Sequence, residues 1–267
     1  MSGAEARRTL AESFLGAYES KRALPPPTAQ FDGLTIDDAY DIQQRQIDAR
    51  VAAGAVVKGY KVGLTSQAMQ DMLGVHEPDF GHLLSDMFLP EGTPIKVSDY
   101  LQPRIEPEIA FVMGAELAGP GVTPGAAAKA VDHVVASLEL IDSRVADWRI
   151  TLVDTIADNA SSAGVILGSK PVRLADVDLA SINCRFIVNS TIFQTGVGAA
   201  VMGSPLDALV WLANTLGARG VAFKPGDVIM PGSLTAAHDV VAGTNIEAAF
   251  SDLGSVFAAF VAGANDE

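Results

Sequence analysis

Cysteine, histidine and basic residues are scarce in this chain of 267 residues, which has one cysteine, four histidines, and 18 lysines and arginines against 32 acidic residues. The single Cys184 excludes an internal disulfide, no CxxC spacing for zinc exists, and we expect this side chain to be a small buried hydrophobe. The net charge of −14 argues against nucleic acid or an anionic membrane surface as a partner, because both attract basic proteins. Since this charge also repels anionic substrates, an anion site has to supply its own positive charge.

Long apolar runs are also absent. Although the mean hydropathy is +0.27, no window offers the roughly 20 uninterrupted apolar residues that a membrane-spanning helix needs. The N-terminal segment has no apolar stretch of signal-peptide length, no Walker A sequence occurs, and no G-x-G-x-x-G motif follows a strand. The sequence therefore predicts a globular, cytoplasmic protein that does not bind a dinucleotide through a Rossmann fold.

Helical patterns come first, and strand patterns dominate afterwards. Apolar residues four apart predict a helix over 4–20, and a capping box at Thr35 and Asp38 begins a second helix that ends at Gly54. This order predicts an α+β fold with a helical N-terminal region at 1–55 and a mixed-β body at 56–267. Strands are predicted at 56–64, 105–113, 134–141, 228–230, 246–250 and 256–261, a hairpin at 185–194, and further helices at 66–74, 123–133 and 204–220.

Two glutamates alternate along one predicted strand. Glu106 and Glu108 point to the same face, about 7 Å apart, and can therefore lean toward one ion. A solvated strand face is the alternative, but Ala110 and Val112 continue the same face with apolar residues. Pro107 removes a donor from the ladder, which suggests an edge strand or a bulge.

A third glutamate lies in the apolar run over 134–142. Unless Glu139 lies at an exposed strand end, it has to be neutral, paired or bound to a cation. Together with Glu106 and Glu108, it predicts an oxygen-only site that favours Mg²⁺ or Mn²⁺ over zinc. The scattered histidines (His76, His82, His133 and His238) are interpreted as surface or capping residues, because they show no ligand spacing.

Other segments carry weaker signals. Lys61 shares a strand face with Gly59 and Gly63, which leave room for a ligand beside the amine, although this segment alone favours an ordinary exposed lysine. Asp79 follows a proline in a turn, where aspartate is common for structural reasons. Two polar segments, at 158–162 and 232–235, offer hydroxyls and amides that suit a carboxylate ligand.

Taken together, these segments resemble the hydratase/decarboxylase branch of the fumarylacetoacetate hydrolase superfamily. The resemblance extends over most of the chain from about residue 35 and is specific because several motifs occur in order. The motifs are KVGLTS (61–66), GVHEPDFG (74–81), LQPRIEPEIAFV (101–112), LELIDSR (138–144), VDTIADNASS (153–162), GSPLDALVWLA (203–213) and PGDVIMPGSLT (225–235).

The resemblance implies a barrel-like mixed-β body, a homo-oligomer, and roles for individual residues. Glu106, Glu108 and Glu139 would bind Mg²⁺ or Mn²⁺, while Lys61 and Asp79 would be catalytic. Ser161 would lie near the substrate carboxylate, and we expect Arg104 and Thr235 to help bind the substrate.

The implied activity is metal-dependent hydration of 2-hydroxypenta-2,4-dienoate (2-keto-4-pentenoate) to 4-hydroxy-2-oxopentanoate, in aromatic or steroid meta-cleavage catabolism. Association with a pathway aldolase is a further expectation. Decarboxylation of 4-oxalocrotonate is the main alternative, but decarboxylases of this branch typically have an apolar residue where this chain has Asp79. Acylpyruvate hydrolysis would need a water-activating histidine, and a non-catalytic scaffold has no reason to retain the three glutamates and Lys61.

Overall fold

A computed structural model of the chain describes residues 3–66, 70, 75 and 77–263. The helices are α1 (Gly3–Ser20), α2 (Pro27–Gln30), α3 (Ile36–Ala52), α4 (Pro124–Ala130), α5 (Leu152–Ala157) and α6 (Pro205–Gly217). The strands are β1 (Val57–Gly63), β2 (Asp79–Leu84), β3 (Ile95–Lys96), β4 (Pro103–Met113), β5 (Val131–Asp142), β6 (Ser162–Leu167), β7 (Asn183–Val188), β8 (Thr191–Val197), β9 (Val228–Met230), β10 (His238–Asp239), β11 (Asn245–Phe250) and β12 (Gly254–Val261).

The strands form two sheets that pack around the main core. The larger sheet has the order β2-β1-β9-β4-β5-β6, with β10 paired to β4, and the smaller sheet has the order β3-β12-β11-β7-β8. Antiparallel pairs prevail, while β1 runs parallel to β9. Buried side chains such as Ile109, Phe111, Leu138 and Phe186 fill the space between the sheets. The predicted α+β class with a mixed-β body is confirmed.

The N-terminal helices cover the other face of the larger sheet. Leu10 and Phe14 of α1 pack on Ile42 of α3 and on Ile156 of α5. The predicted capping box begins α3, where the side chain of Thr35 accepts a hydrogen bond from the backbone of Asp38. None of the helices in the described part of the chain has the length and apolar character needed to cross a bilayer.

Two buried glutamines connect α3 to the sheet and to α5. The Gln43 amide donates to the carbonyls of Phe80 and Ile156, at 3.0 and 2.9 Å, and the Gln46 amide donates to the carbonyl of Ala157 at 2.7 Å. Because an unsatisfied buried amide is costly, these bonds fix the position of α3 against the sheet. They also support the segment that follows α5.

Several local predictions are corrected by the structure. The helix predicted to reach His133 ends at Ala130, because β5 pairs with β4 from Val131 onward. Strand β6 was not predicted, since it is buried and lacks alternation. His82 was interpreted as a surface or capping residue but is only 6% exposed, in the middle of a fully buried strand. The helix predicted over 66–74 falls largely outside the described residues, and His76 falls outside them.

Pro107 does not mark an edge or a bulge of the sheet, as its sequence suggested. Strand β4 is central, with β5 on one side and both β9 and β10 on the other. Strand β9 pairs at Phe111 and Val112, whereas β10 pairs only at Arg104 and Ile105, so that Pro107 lies in the gap between them. In this gap the Pro107 carbonyl accepts from the backbone N–H of Leu234 at 3.1 Å. The missing N–H of proline therefore breaks no strand ladder.

Candidate metal and substrate site

The register of the larger sheet brings the predicted acidic residues together. Glu106 of β4 is directly opposite Glu139 of β5, and Glu108 is opposite Ser137. One carboxylate oxygen from each of Glu106, Glu108 and Glu139 lies within 4.8 Å of the others. The predicted cluster is thus a single group of three acids on one face of the sheet.

The carboxylates have few partners within the protein. Glu108 and Glu139 are fully buried, and the Oε1 atom of each has no hydrogen-bond partner among the described residues. The Oε2 atom of Glu108 accepts from the backbone N–H of Gly232 at 2.8 Å. Unpartnered buried carboxylate oxygens are unfavourable unless a cation or a proton is bound. This donor set fits a hard divalent cation.

The electrostatics of the cluster lead to the same conclusion. Burial, followed by the nearby Glu139, raises the pKa of Glu106 to about 7. Burial and the two neighbouring glutamates also raise the pKa of Glu108 well above its ordinary value. Burial raises the pKa of Glu139 as well, although Lys61 opposes the rise. Three crowded acids of this kind favour either bound protons or a bound metal ion.

Lys61 is the cation beside the cluster. Its side chain is 6% exposed, and Nζ lies 3.4 Å from Oε2 of Glu139 and donates to the carbonyl of Ala160 at 3.1 Å. Burial lowers the pKa of Lys61, but Glu139 and Asp79 outweigh this effect, so the pKa is raised and the amine stays charged. The ordinary exposed lysine considered as the alternative is therefore excluded.

Asp79 begins β2 and faces the same space as Lys61. It is 1% exposed, and its Oδ1 atom has no hydrogen-bond partner among the described residues. A Cβ atom added to Gly63, the strand partner of Asp79, would lie 2.1 Å from this oxygen and 3.4 Å from Nζ of Lys61. Burial raises the pKa of Asp79. The absence of a side chain at Gly63 keeps open the space between the acid and the amine.

A cavity of about 550 Å³ opens onto these groups. Its lining includes Lys61, Asp79, Glu106 and the three residues predicted to bind substrate, Ser161, Arg104 and Thr235. The hydroxyl of Ser161 lies 3.4 Å from that of Thr155, whereas the hydroxyl of Thr235 donates to the Ala236 carbonyl at 3.1 Å. Glu108 and Glu139 do not line the cavity but belong to the same cluster as Glu106, and we call the part of the cavity beside this cluster its inner end.

The segment that carries Ser161 has an uncommon backbone. Asn159, Ala160 and Ser161 all have positive φ angles, between 50 and 53°, which are unfavourable for residues with a side chain. The Asn159 side chain holds this turn, because it accepts from the N–H of His82 at 2.8 Å and donates to the carbonyl of the same residue at 2.9 Å. The turn directs the Ala160 carbonyl toward Lys61.

Asp158 belongs to the polar segment noted in the sequence, and it forms a buried ion pair with Arg144. Other residues of the site carried no signal in the sequence: Trp148 and Ile141 line the cavity, and Asp239 pairs with Arg104. Only the rarity of tryptophan in this chain could have drawn attention to Trp148. The other contacts depend on the strand register, which no local pattern reveals.

Known proteins resemble this chain over most of its length. A family model described as the fumarylacetoacetate (FAA) hydrolase C-terminal region matches residues 52–261. A 2-hydroxyhexa-2,4-dienoate hydratase from Comamonas testosteroni is 39% identical over 96% of this chain and 97% of its own. A 2-keto-4-pentenoate hydratase from Paraburkholderia xenovorans is 40% identical over 94% and 93%, respectively.

A solved structure has the same fold over nearly its whole length. The 4-oxalocrotonate decarboxylase from Pseudomonas putida G7, complexed with magnesium and adipate, superimposes with a TM-score of 0.93 at 36% identity and covers 98% of this chain and 99% of its own. The family model, the sequence relatives and the structural match agree, and the chain belongs to the fumarylacetoacetate (FAA) hydrolase family.

Proposed function

We propose that this protein is a divalent-metal-dependent hydratase. It adds water to 2-hydroxypenta-2,4-dienoate, or to a counterpart with a short alkyl substituent, and forms the 4-hydroxy-2-oxo acid. The observation that carries the proposal is a cluster of three carboxylates, two of them fully buried, whose member Glu106 lines one cavity together with the buried Lys61 and Asp79. The names of relatives that match nearly the whole chain support the same reaction.

Glu106, Glu108 and Glu139 would hold the metal ion, which we propose to be Mg²⁺ or Mn²⁺. Their oxygen-only donor set suits either ion, and the unpartnered oxygens of Glu108 and Glu139 are satisfied when a cation binds. When bound, the ion would polarise the 2-oxygen and the carboxylate of a 2-oxo acid.

Lys61 and Asp79 would carry out the proton chemistry. The dienol first gains a proton at C5 and loses the proton of its 2-hydroxyl, which gives the 2-oxo-3-enoate. Asp79 then takes a proton from water as the oxygen of water bonds to C4, and a proton is returned at C3. Lys61, which is charged and buried, stabilises the negative charge on the enolate oxygen during this addition.

Substrate binding would rely on the remaining lining residues. The Ser161 hydroxyl is buried beside Lys61 and donates to the substrate carboxylate in our proposal. Thr235 also lines the cavity, and its hydroxyl can exchange the Ala236 carbonyl for a ligand oxygen. Arg104 lies at the outer end of the cavity, where it can reach the far end of the substrate. Lys61 would supply the local positive charge that offsets the repulsion of an anionic substrate by a net charge of −14.

Decarboxylation of 4-oxalocrotonate is the second candidate, because the structural match to that enzyme covers nearly the whole chain. Asp79 favours hydration, since water addition requires a base whereas loss of CO₂ does not. Acylpyruvate hydrolysis gains no support from the described histidines. None of the described histidines lines the cavity, and the buried His82 is occupied by a hydrogen bond from its Nδ1 to the Gln43 side chain at 3.1 Å.

The experiment is to follow the ultraviolet absorbance of fresh 2-hydroxypenta-2,4-dienoate with enzyme and Mg²⁺, and with enzyme and EDTA. Rapid metal-dependent loss of the conjugated band, with 4-hydroxy-2-oxopentanoate as the product, is expected. K61M should lower kcat by about a thousandfold, whereas the matched control K58M, at an exposed lysine of the same strand, should retain it. Loss of the band only at the spontaneous rate, together with CO₂ release from 4-oxalocrotonate, would favour the decarboxylase instead.

Assembly is a separate prediction. We propose that the chain forms a homo-oligomer and associates with an aldolase that consumes its product. Light scattering on the purified protein tests the first part, and co-elution with such an aldolase tests the second.

A further inference from the structure

The outer end of the cavity differs from the inner end in its chemistry. Arg104 lies two residues before Glu106 in β4 and therefore on the same face of the strand. It is directly opposite Ile141 of β5. One such step along a strand is about 7 Å, close to the length of a five-carbon acid. A substrate whose 2-oxo acid end lies at the glutamates can thus place its far end beside Arg104 and Ile141.

Arg104 is held from two sides. Its Nε donates to Oδ1 of Asp239 at 2.6 Å, and its guanidinium carbon lies 4.3 Å from the centre of the Trp148 ring. The Trp148 indole N–H donates to the Gln102 carbonyl at 3.1 Å, which fixes the ring. Arg104 and Asp239 are also strand partners, so the pair is set by the backbone register.

The backbone near Trp148 is strained in a way that maintains this arrangement. Asp147 and Trp148 both have positive φ angles, 59 and 52°, which are rare for residues with side chains. Strained conformations of this kind persist where surrounding contacts hold them, and they occur often at ligand sites. In this case the strain places the indole over Arg104 at the cavity wall.

Asp239 pairs with the only positively charged side chain that the described lining residues offer at this end. A second carboxylate that approached Arg104 would lie beside Asp239, whose negative charge repels it. The remaining surfaces at this end, Ile141, Trp148 and Ile150, are apolar or aromatic and suit hydrogen or a short alkyl group. The positive charge of Lys61 lies at the inner end, beside Glu139.

We propose that Asp239 makes the enzyme selective for monocarboxylate 2-hydroxydienoates, with hydrogen or a short alkyl group at C5, over those that carry a second carboxylate. This inference rests on the proposed hydratase function. Asp239 is a positioning residue, because it acts by occupying Arg104 and does not contact the substrate.

The test compares 2-hydroxyhexa-2,4-dienoate with 2-hydroxyhepta-2,4-diene-1,7-dioate as substrates for the full-length enzyme with Mg²⁺. The wild type should prefer the monocarboxylate in kcat/KM by about tenfold or more, and D239N should reduce this preference by about tenfold. The change in D239N should arise from a lower KM for the dicarboxylate, because Arg104 becomes free to bind its second carboxylate. D176N, which breaks the exposed pair of Asp176 with Arg173, serves as the control and should leave the preference unchanged.

Binding of adipate and hexanoate, measured by calorimetry, gives a readout that does not depend on turnover. D239N should tighten adipate relative to hexanoate, and D239S replaces it if D239N does not fold. A wild type that prefers the dicarboxylate, or a preference that is the same in D239N and wild type, would overturn the inference. If the wild type consumes neither dienoate, the proposed function itself fails, so the two failures are distinguishable.

Discussion

Replacement of Asp158 by alanine should be among the most destabilising single changes in the protein. Asp158 and Arg144 are both completely buried, with Nε of Arg144 2.5 Å from Oδ1 of Asp158. The same carboxylate accepts from the backbone N–H of Arg144 at 2.9 Å, and Nη2 of Arg144 donates to the Asp158 carbonyl at 2.6 Å. The guanidinium also stacks on Tyr18, at 4.4 Å from the ring centre, which brings α1 into the network.

The magnitude follows from the charge that is left behind. D158A leaves a buried guanidinium without its counterion, and such a loss costs about 3–5 kcal/mol. In a chain of this size, 1 kcal/mol corresponds to about 2–4 °C, so the melting temperature should fall by about 10 °C. Activity should fall as well, because Asp158 precedes the strained turn that directs the Ala160 carbonyl toward Lys61.

Equilibrium unfolding in urea, followed by circular dichroism, measures the change in the free energy of unfolding. The control is D176A, which breaks an exposed pair and should cost under about 0.5 kcal/mol. The double variant R144M/D158L removes both charges and should be more stable than D158A alone. A loss below about 1 kcal/mol for D158A, or a double variant less stable than D158A, would refute the reasoning.

Three further predictions concern the site and its surroundings. E108Q should abolish the rise in melting temperature caused by MgCl₂, because it removes one metal ligand, without lowering the melting temperature of the metal-free protein, because the amide oxygen can still accept from the N–H of Gly232; a retained Mg²⁺ shift would contradict this. G63A should lower kcat by about a hundredfold, because its Cβ would lie 2.1 Å from a carboxylate oxygen, whereas G16A, with open space around it, should not; equal rates would refute the steric argument. Burial lowers the pKa of His82 to about 4 from 6.5. As the pH falls, the unfolded chain therefore binds a proton at this histidine before the folded protein does. The free energy of unfolding accordingly decreases by up to about 3 kcal/mol between pH 6.5 and pH 4. The stability difference between wild type and H82Q should shrink over this range, and a difference independent of pH would contradict the assignment.

Much of the fold could be predicted because local patterns and tertiary packing agree. The capping box at Thr35 begins α3, and the turn at Asn189 joins β7 to β8, as the sequence suggested. The prediction was wrong where long-range pairing overrides local preference. The predicted helix continued past Ala130, but from Val131 onward the chain pairs with β4 as part of β5. The proposed boundary between residues 55 and 56 stays a prediction.

The site could be predicted where its chemistry is local in sequence. Two glutamates two apart on a strand and a lysine between glycines are visible without a structure, and the structure brings them together. Arg104 and Asp239 are 135 positions apart, so their pairing emerges only from the register of β4 with β10. Arg104 was therefore predicted as a site residue, whereas its partner Asp239 could not be.

The glycines that lie against the inner end of the cavity constrain how this enzyme can change. A Cβ at Gly63 would reach Asp79, and one at Gly232 would lie 2.1 Å from the hydroxyl of Thr65. Substitutions at these positions would therefore damage the chemistry before they altered the choice of substrate. Variation in substrate range is therefore expected at the outer wall, where the side chains of Ile141 and Ile150 line the cavity. Libraries intended to redirect the enzyme toward longer dienoates should begin at these outer positions.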